Sequence, residues 1–141
     1  MIAQPRILGR LLADAEGVDD ATLADALGPS REPGERIGDT LVRIGAVSRR
    51  AVTNALALQL GIEVAEEPLA PDPEAVSLVQ PELARAHLIV PMERTKRTLR
   101  VAMADPLDVT AIDNVQFQTG RRVEPLASTP AAVSEALAHW Y

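Results

Sequence analysis

Cysteine is absent from the 141 residues, which excludes thiol catalysis, a cysteine zinc site and disulfide bonds. A reducing compartment fits that usage. Aromatic residues number three, Phe117, Trp140 and Tyr141, so any core must be built from Ala, Val, Leu and Ile. No apolar run approaches the roughly 20 residues that cross a bilayer. The N-terminal stretch Met1-Ile2-Ala3-Gln4-Pro5-Arg6 also lacks the apolar centre of a signal peptide. The chain reads as cytoplasmic, without direct membrane insertion. Positive charge is in deficit: 14 Lys and Arg against 20 Asp and Glu leave a net charge of −6, which argues against general affinity for nucleic acid or an anionic membrane. A small anionic ligand held by local arginines stays open. His87 and His139 stand alone, at no metal-ligand spacing. The pairs Asp19-Asp20 and Glu66-Glu67 point in different directions, and no nucleophile, base and orienting group occur in series. An enzyme is not expected, and neither is a resident cofactor or metal.

What is present is an ordinary globular composition, 47% hydrophobic and 24% charged. The length suits one domain or two small ones sharing a core, and a regulatory or docking module better than a complete enzyme. One segment occurs twice. Leu8-Gly9-Arg10-Leu11-Leu12-Ala13 superposes without a gap on Ile37-Gly38-Asp39-Thr40-Leu41-Val42, 29 residues later, and the same register sets Val18 on Val47, Leu23 on Val52, Ala26 on Ala55 and Leu27 on Leu56. Such a period implies a duplicated helical hairpin that cannot bury its apolar face alone, and two copies can build one shared site.

Capping signals divide the first half into short helices. Asp19 and Ser48, equivalent in the repeat, are N-caps, and Gly17, Gly45 and Gly61 are stops. Leu8, Leu11 and Leu12 mark one apolar face; Ile37, Leu41 and Ile44 mark its counterpart; Val52, Leu56 and Leu60 point inward on a longer helix. Pro68, Pro71 and Pro73 mark the passage to a second region, which gives subdomains of residues 1–61 and 62–141. There Asp72 caps a short helix containing Val76 and Leu78, and Pro81 opens another. Leu88–Met92 and Thr98–Met103 read as a hairpin around Arg94-Thr95-Lys96-Arg97. Asp108 caps a helix with Val109, Ile112 and Val115 on one face, Gly120 ends it, and Arg122–Leu126 returns as a strand that should pair in parallel through a right-handed crossover. Thr129-Pro130 starts a last helix with Val133, Leu137 and Trp140 on one stripe. The expected fold is α+β: a helical N-terminal subdomain carrying the tandem hairpin repeat, packed on a small three-stranded sheet of order β-β-α-β-α with flanking helices.

The stretch Arg36-Ile37-Gly38-x-x-Leu41-Val42-x-x-Gly45-x-Val47, followed by Val52, Ala55-Leu56 and Gln59, resembles the MshEN domain at the N-terminus of type II secretion and type IV pilus assembly ATPases. Pro81-Glu82-Leu83-Ala84, Val101-Ala102-Met103-Ala104-Asp105-Pro106 and Phe117-x-Thr119-Gly120 extend the likeness over nearly the whole chain. The resemblance implies a noncatalytic module. Its partners would be the cytoplasmic domain of an inner-membrane platform protein and an ATPase core in cis, placing it peripheral to the inner membrane. The catalytic core of such an ATPase carries a phosphate loop with Gly-Lys-Ser/Thr, which does not occur here.

Some members bind cyclic di-GMP, and the same resemblance assigns that ligand to Arg36, Ile37, Gly38, Leu41, Val42 and Gln59. The chemistry is coherent. A guanidinium can meet guanine O6 and N7 together or lie over the ring, glycine lets backbone amides approach phosphate, and a glutamine amide both donates and accepts. The first motif keeps Leu8 and Gly9 but has Ile7 where the second has Arg36 and Ser30 where it has Gln59; Arg6 and Arg10 flank the lost position. Asp105 would turn toward the ligand from the second subdomain or simply initiate the Asp-Pro turn. Against the ligand stands a plain reading: Gly9 and Gly38 allow helices to approach and Gly45 ends one. Arg94, Lys96, Arg97 and Arg100 form a basic patch at the hairpin, either solvated or facing an acidic partner.

Overall fold

The computed structural model describes Gly9, Leu11, Leu12 and residues 16–141. It divides into two compact units, Met1–Gly61 and Ile62–Tyr141.

In the first unit Gly9, Leu11 and Leu12 are helical. Three further helices follow: α1 (Asp20–Leu27), α2 (Ile37–Arg43) and α3 (Arg49–Leu60). Capping chemistry sets their limits. Thr22 N donates to Asp19 Oδ1 at 2.7 Å and Ala51 N to Ser48 Oγ at 3.1 Å, each satisfying an amide that has no partner inside its helix. At the end of α2, Ala46 N donates to Leu41 O at 2.9 Å and Gly45 N to Val42 O at 3.0 Å, with Gly45 at φ +80°. That paired wrap needs a left-handed residue, which a side chain would strain. Leu12, Ala26, Ile37, Leu41, Val47, Val52 and Ala55 form the core of this unit.

The second unit orders α4 (Pro73–Val76), α5 (Pro81–His87), β1 (Ile89–Arg94), β2 (Thr98–Met103), α6 (Val109–Thr119), β3 (Arg122–Ala127) and α7 (Pro130–Trp140). The sheet runs β1-β2-β3. β1 and β2 pair antiparallel with a register shift between Pro91 and Glu93, and β2 pairs parallel with β3 from Thr98↔Arg122 to Met103↔Ala127. The alternation of β2 places Leu99 and Val101 in the core at 0% and 1% exposure, among Ile89, Val115, Val133 and Leu137. Trp140 and Tyr141 pack on the same core, and Tyr141 OH donates to Val76 O at 2.8 Å. Burial pushes that phenol up to about 12.

The free side of β3 is closed piece by piece. Ala127 turns both backbone groups away from β2: its N–H donates to Glu63 O at 2.9 Å and its C=O accepts from Ala65 N at 2.8 Å. By the two-residue alternation Val123 and Pro125 face the same way. Val123 N donates to Gln116 Oε1 at 3.1 Å, and Pro125 has no N–H.

Three expectations are corrected. Leu88 is not in the strand: it caps α5 at φ +51°, its N–H held by Ala84 O, so β1 starts at Ile89 and runs on to Arg94. Val109, expected on the inward face of α6, is 62% exposed; as the first residue after the cap it lies off the stripe formed by Ala111 and Val115. The helix after Asp72 ends at Val76, so Leu78 lies beyond it.

Candidate site at the second repeat motif

The second motif is built around the start of α2. Arg36 is its N-cap, in extended conformation at φ −78° and ψ 149°, and the side chain stands exposed. Its carbonyl accepts from Thr40 N at 3.0 Å and Thr40 Oγ1 at 3.3 Å. Ile37 and Leu41 are 1% and 0% exposed, members of the helical core, and Gly38 is buried beside them. Val42 is half-buried. The motif thus has two faces: Ile37, Gly38 and Leu41 hold the helix in place with Val42 packed at the margin of their core, while Arg36 faces outward. Gln59 sits in the last turn of α3, where its Oε1 is buried without a hydrogen-bond partner among the described residues. Such an atom forfeits its bond to water, a cost normally offset by a partner.

A carboxylate that sequence reasoning passed over organises the approach to Arg36. Glu35 Oε2 accepts from Arg43 Nε at 2.9 Å, and Oε1 from Arg43 Nη2 at 2.9 Å and Thr40 Oγ1 at 2.7 Å. This fork-on-carboxylate bond to Arg43, with Thr40 second, holds the Glu35 carboxyl down at about 2 and raises the Arg43 guanidinium. Arg31 Nε donates to Glu35 O at 2.6 Å, and Arg43 Nη2 reaches Ser30 O, so the loop before α2 is tied to the end of that same helix. Asp39 pairs with Arg49 at 2.6 Å. A separation of eight residues spanning α2 is twice the i, i+4 spacing at which helical ion pairs are read from sequence, so the Glu35–Arg43 pair emerges only from the fold.

The first motif differs. Ser30 Oγ donates to Asp25 Oδ2 at 2.6 Å, and Ser30 N to Asp25 O at 2.9 Å, so it finishes its own hairpin. A Cβ on Gly9 would stand 2.8 Å from Leu23 Cδ1 and 3.7 Å from Ile37 Cγ1, which makes this glycine a point of close helix approach. Arg6, Ile7, Leu8 and Arg10 lie outside the described residues. In the second unit, the Asp105 carboxylate accepts from Leu107 N at 3.1 Å and its carbonyl from Asp108 N at 3.1 Å, a turn of the kind Asp-Pro favours. His87 Nδ1 lies 2.9 Å from Asp108 Oδ2, joining the end of α5 to the cap of α6. Of the hairpin cations, Arg94 pairs with Glu74, and Arg100 with Glu63 and, at 3.5 Å, Glu93. Among the described residues no helix is long and apolar enough to cross a membrane.

Residues 56–141, from within α3 through Gln59 to the end of the α/β unit, match the MshEN domain. The chain belongs to the MshEN domain family. This MshEN chain is 32% identical over 135 residues to the type IV pilus assembly ATPase PilB of Myxococcus xanthus, and 31% identical over 137 residues to PilB of Thermus thermophilus. Each alignment takes in 95% of the chain but only 24% and 15% of the relatives' own lengths. Among solved structures, MshE with cdg superposes with a TM-score of 0.83 at 32% identity, covering 95% of this chain and 98% of that one. The N-terminal domain of XpsE shares the fold, with a TM-score of 0.76 at 22% identity over 100% and 99% of the two chains. This is accordingly an MshEN domain, related to a part of the type IV pilus assembly ATPase PilB and sharing the fold of the MshE and XpsE structures.

Proposed function

We propose that the chain is the noncatalytic N-terminal regulatory domain of a type IV pilus or type II secretion assembly ATPase. It is joined in cis to the ATPase core and docks that core to the cytoplasmic domain of an inner-membrane platform protein, so that it sits peripheral to that membrane. The observation that carries this reading is one of extent: PilB aligns with 95% of the chain, while the chain accounts for 24% of PilB. A module of this size, built of two small cores, suits contact and relay. Titrating the chain calorimetrically with the cytoplasmic domain of the platform protein encoded beside its parent ATPase tests it. Saturable one-to-one binding is expected, and no heat at concentrations of hundreds of micromolar sets docking aside.

A second reading, cyclic di-GMP binding at the second motif, is favoured by the MshE structure with cdg and by the intact series Arg36, Gly38, Val42, Gln59. Arg36 would meet guanine by its planar fork, Gln59 would satisfy its buried Oε1 on a ligand donor, and Val42 would pack on base or sugar, with Ile37 and Leu41 fixing the helix beneath. Arg6, Arg10, Leu8, Gly9 and Asp105 remain secondary candidates under this reading. Titration with cyclic di-GMP, with GMP and ATP as controls, should give selective binding that Arg36→Ala abolishes. An unchanged affinity in that variant removes Arg36 from the site.

A further inference from the structure

Phe117 is 93% exposed, although the chain has only three aromatic residues and the other two pack on the core. It lies on the outward side of α6, where 110, 113, 114 and 117 are all exposed while Ala111 and Val115 are buried. An aromatic ring left wholly in water contributes nothing to its own fold. It contributes a great deal to an interface that covers it.

Positive charge gathers at the same end of the unit. Four residues beyond Phe117 the chain enters Arg121-Arg122, and the β1-β2 tip carries Lys96-Arg97. These segments are bonded together: Arg122 N donates to Arg97 O at 2.8 Å and Arg121 Nε to Thr95 O at 2.9 Å. The Arg121 bonds end on carbonyl oxygens, Thr95 O and, at 3.3 Å, Thr119 O, which leave its charge uncancelled. The side chains of Lys96 and Arg97 make no hydrogen bond or ion pair among the described residues. Arg122 is balanced by Glu124 at 3.1 Å, and Asp113 is the carboxylate one turn before Phe117 on the exposed face. Three uncompensated cations therefore lie on bonded segments just past the end of the helix that carries one bare aromatic, on a chain whose net charge is −6.

We infer that Phe117 with Lys96, Arg97 and Arg121 is a docking surface for an acidic protein segment carrying an apolar anchor. The inference rests on the docking reading above and names the surface: the acidic segment belongs to the platform protein's cytoplasmic domain. Charge complementarity selects that occupant. Screening confines either occupant to the local patch, within a Debye length of about 8 Å, and three cations fall short of the clusters of about 4–8 basic residues that hold a segment on an anionic membrane. One aromatic ring also fits a single side-chain pocket better than a lipid surface.

The test compares the 141-residue chain with two variants, Phe117→Ala and the double reversal Lys96→Glu with Arg97→Glu. Both keep the bonds of the tip, which run through the backbone, the Thr95 and Thr98 hydroxyls and Arg121, and circular dichroism should find them folded. Against the platform domain, Phe117→Ala should weaken binding about thirtyfold, as for a central aromatic anchor. The reversal should weaken it at least about tenfold, with a loss that shrinks as salt rises. Wild-type binding left untouched by both variants overturns the surface while docking stands. No wild-type binding overturns docking, and the surface with it. Phosphatidylglycerol vesicles and sedimentation velocity complete the set: loss of vesicle binding or of self-association in the variants, with platform affinity unchanged, overturns the inference in favour of a membrane or a second copy.

Discussion

The helix behind the cap runs eight residues in the first copy of the repeat, Asp20–Leu27, and twelve in the second, Arg49–Leu60. Where the second copy has Ala57-Leu58 the first has Gly28-Pro29, and a proline both removes an amide and disfavours helix in the residue before it. The helix therefore stops short of Ser30, which bonds back to Asp25, while its equivalent Gln59 stays on the last turn of α3 with a buried unpaired oxygen. The divergence of the two copies is thus a difference of helix length before it is a difference of side chains. A glutamine placed at position 30 would not take the place Gln59 has, because the backbone does not present residue 30 as α3 presents Gln59.

If the two copies still share one core, damage to equivalent core positions should be equally severe. Leu12 and Leu41 are equivalent and 1% and 0% exposed, so Leu12→Ala and Leu41→Ala should each lose about 2–5 kcal/mol in urea unfolding. A loss in one that is several times that in the other would show that a single copy carries the unit. The caps come next. Ser48→Ala should cost about 1 kcal/mol by the same assay. Asp19→Ala should also lower the melting temperature, but its effect alone should fade in acid. The bond from Thr22 lowers the Asp19 carboxyl below its usual value, so its contribution is complete above that value and is lost as pH falls through the native one.

Gln59→Leu works in the opposite sense. Removing a buried oxygen without a partner should raise stability by about 1 kcal/mol, whereas Ser30→Ala, which breaks a satisfied bond, should lower it slightly. Thermal melts of both variants decide the sign, and under the second reading Gln59→Leu should also weaken cyclic di-GMP. The smallest effect is expected at Glu35, whose partner Arg43 is exposed, so that water and salt screen the pair. With its carboxyl at about 2 against an ordinary 4.5, the stability it adds is present above pH 4.5 and drains away as pH falls toward 2. Melting temperature plotted over that window should therefore fall less steeply in Glu35→Gln than in the parent chain.

Local chemistry was legible in the sequence. Asp19, Ser48, Asp72, Asp108 and Thr129 all cap the helices their positions predict, because a cap needs only a short polar side chain and the next three residues. The parallel return of β3 was legible for a similar reason, a strand, helix, strand order that admits few pairings. Leu88 was not, since an apolar residue beside Ile89-Val90 reads as strand and only the end of α5 forces it left-handed. At the second motif the apolar spacing of Ile37 and Leu41 is the same whether the residues meet a ligand or a core, and burial alone separates the roles. The Glu35 clasp depends on how the loop before α2 folds back on that helix, and the exposure of Phe117 on which face of α6 meets the core; spacing alone gives neither.

The closed flank of β3 has its own consequence. Gln116 takes one outward amide, a proline omits the second and Glu63 takes the third, so that margin offers no N–H to an incoming strand. Open sheet margins template growth, one chain zipping onto the next. Three small devices, each removing a single donor, keep this margin from joining such growth.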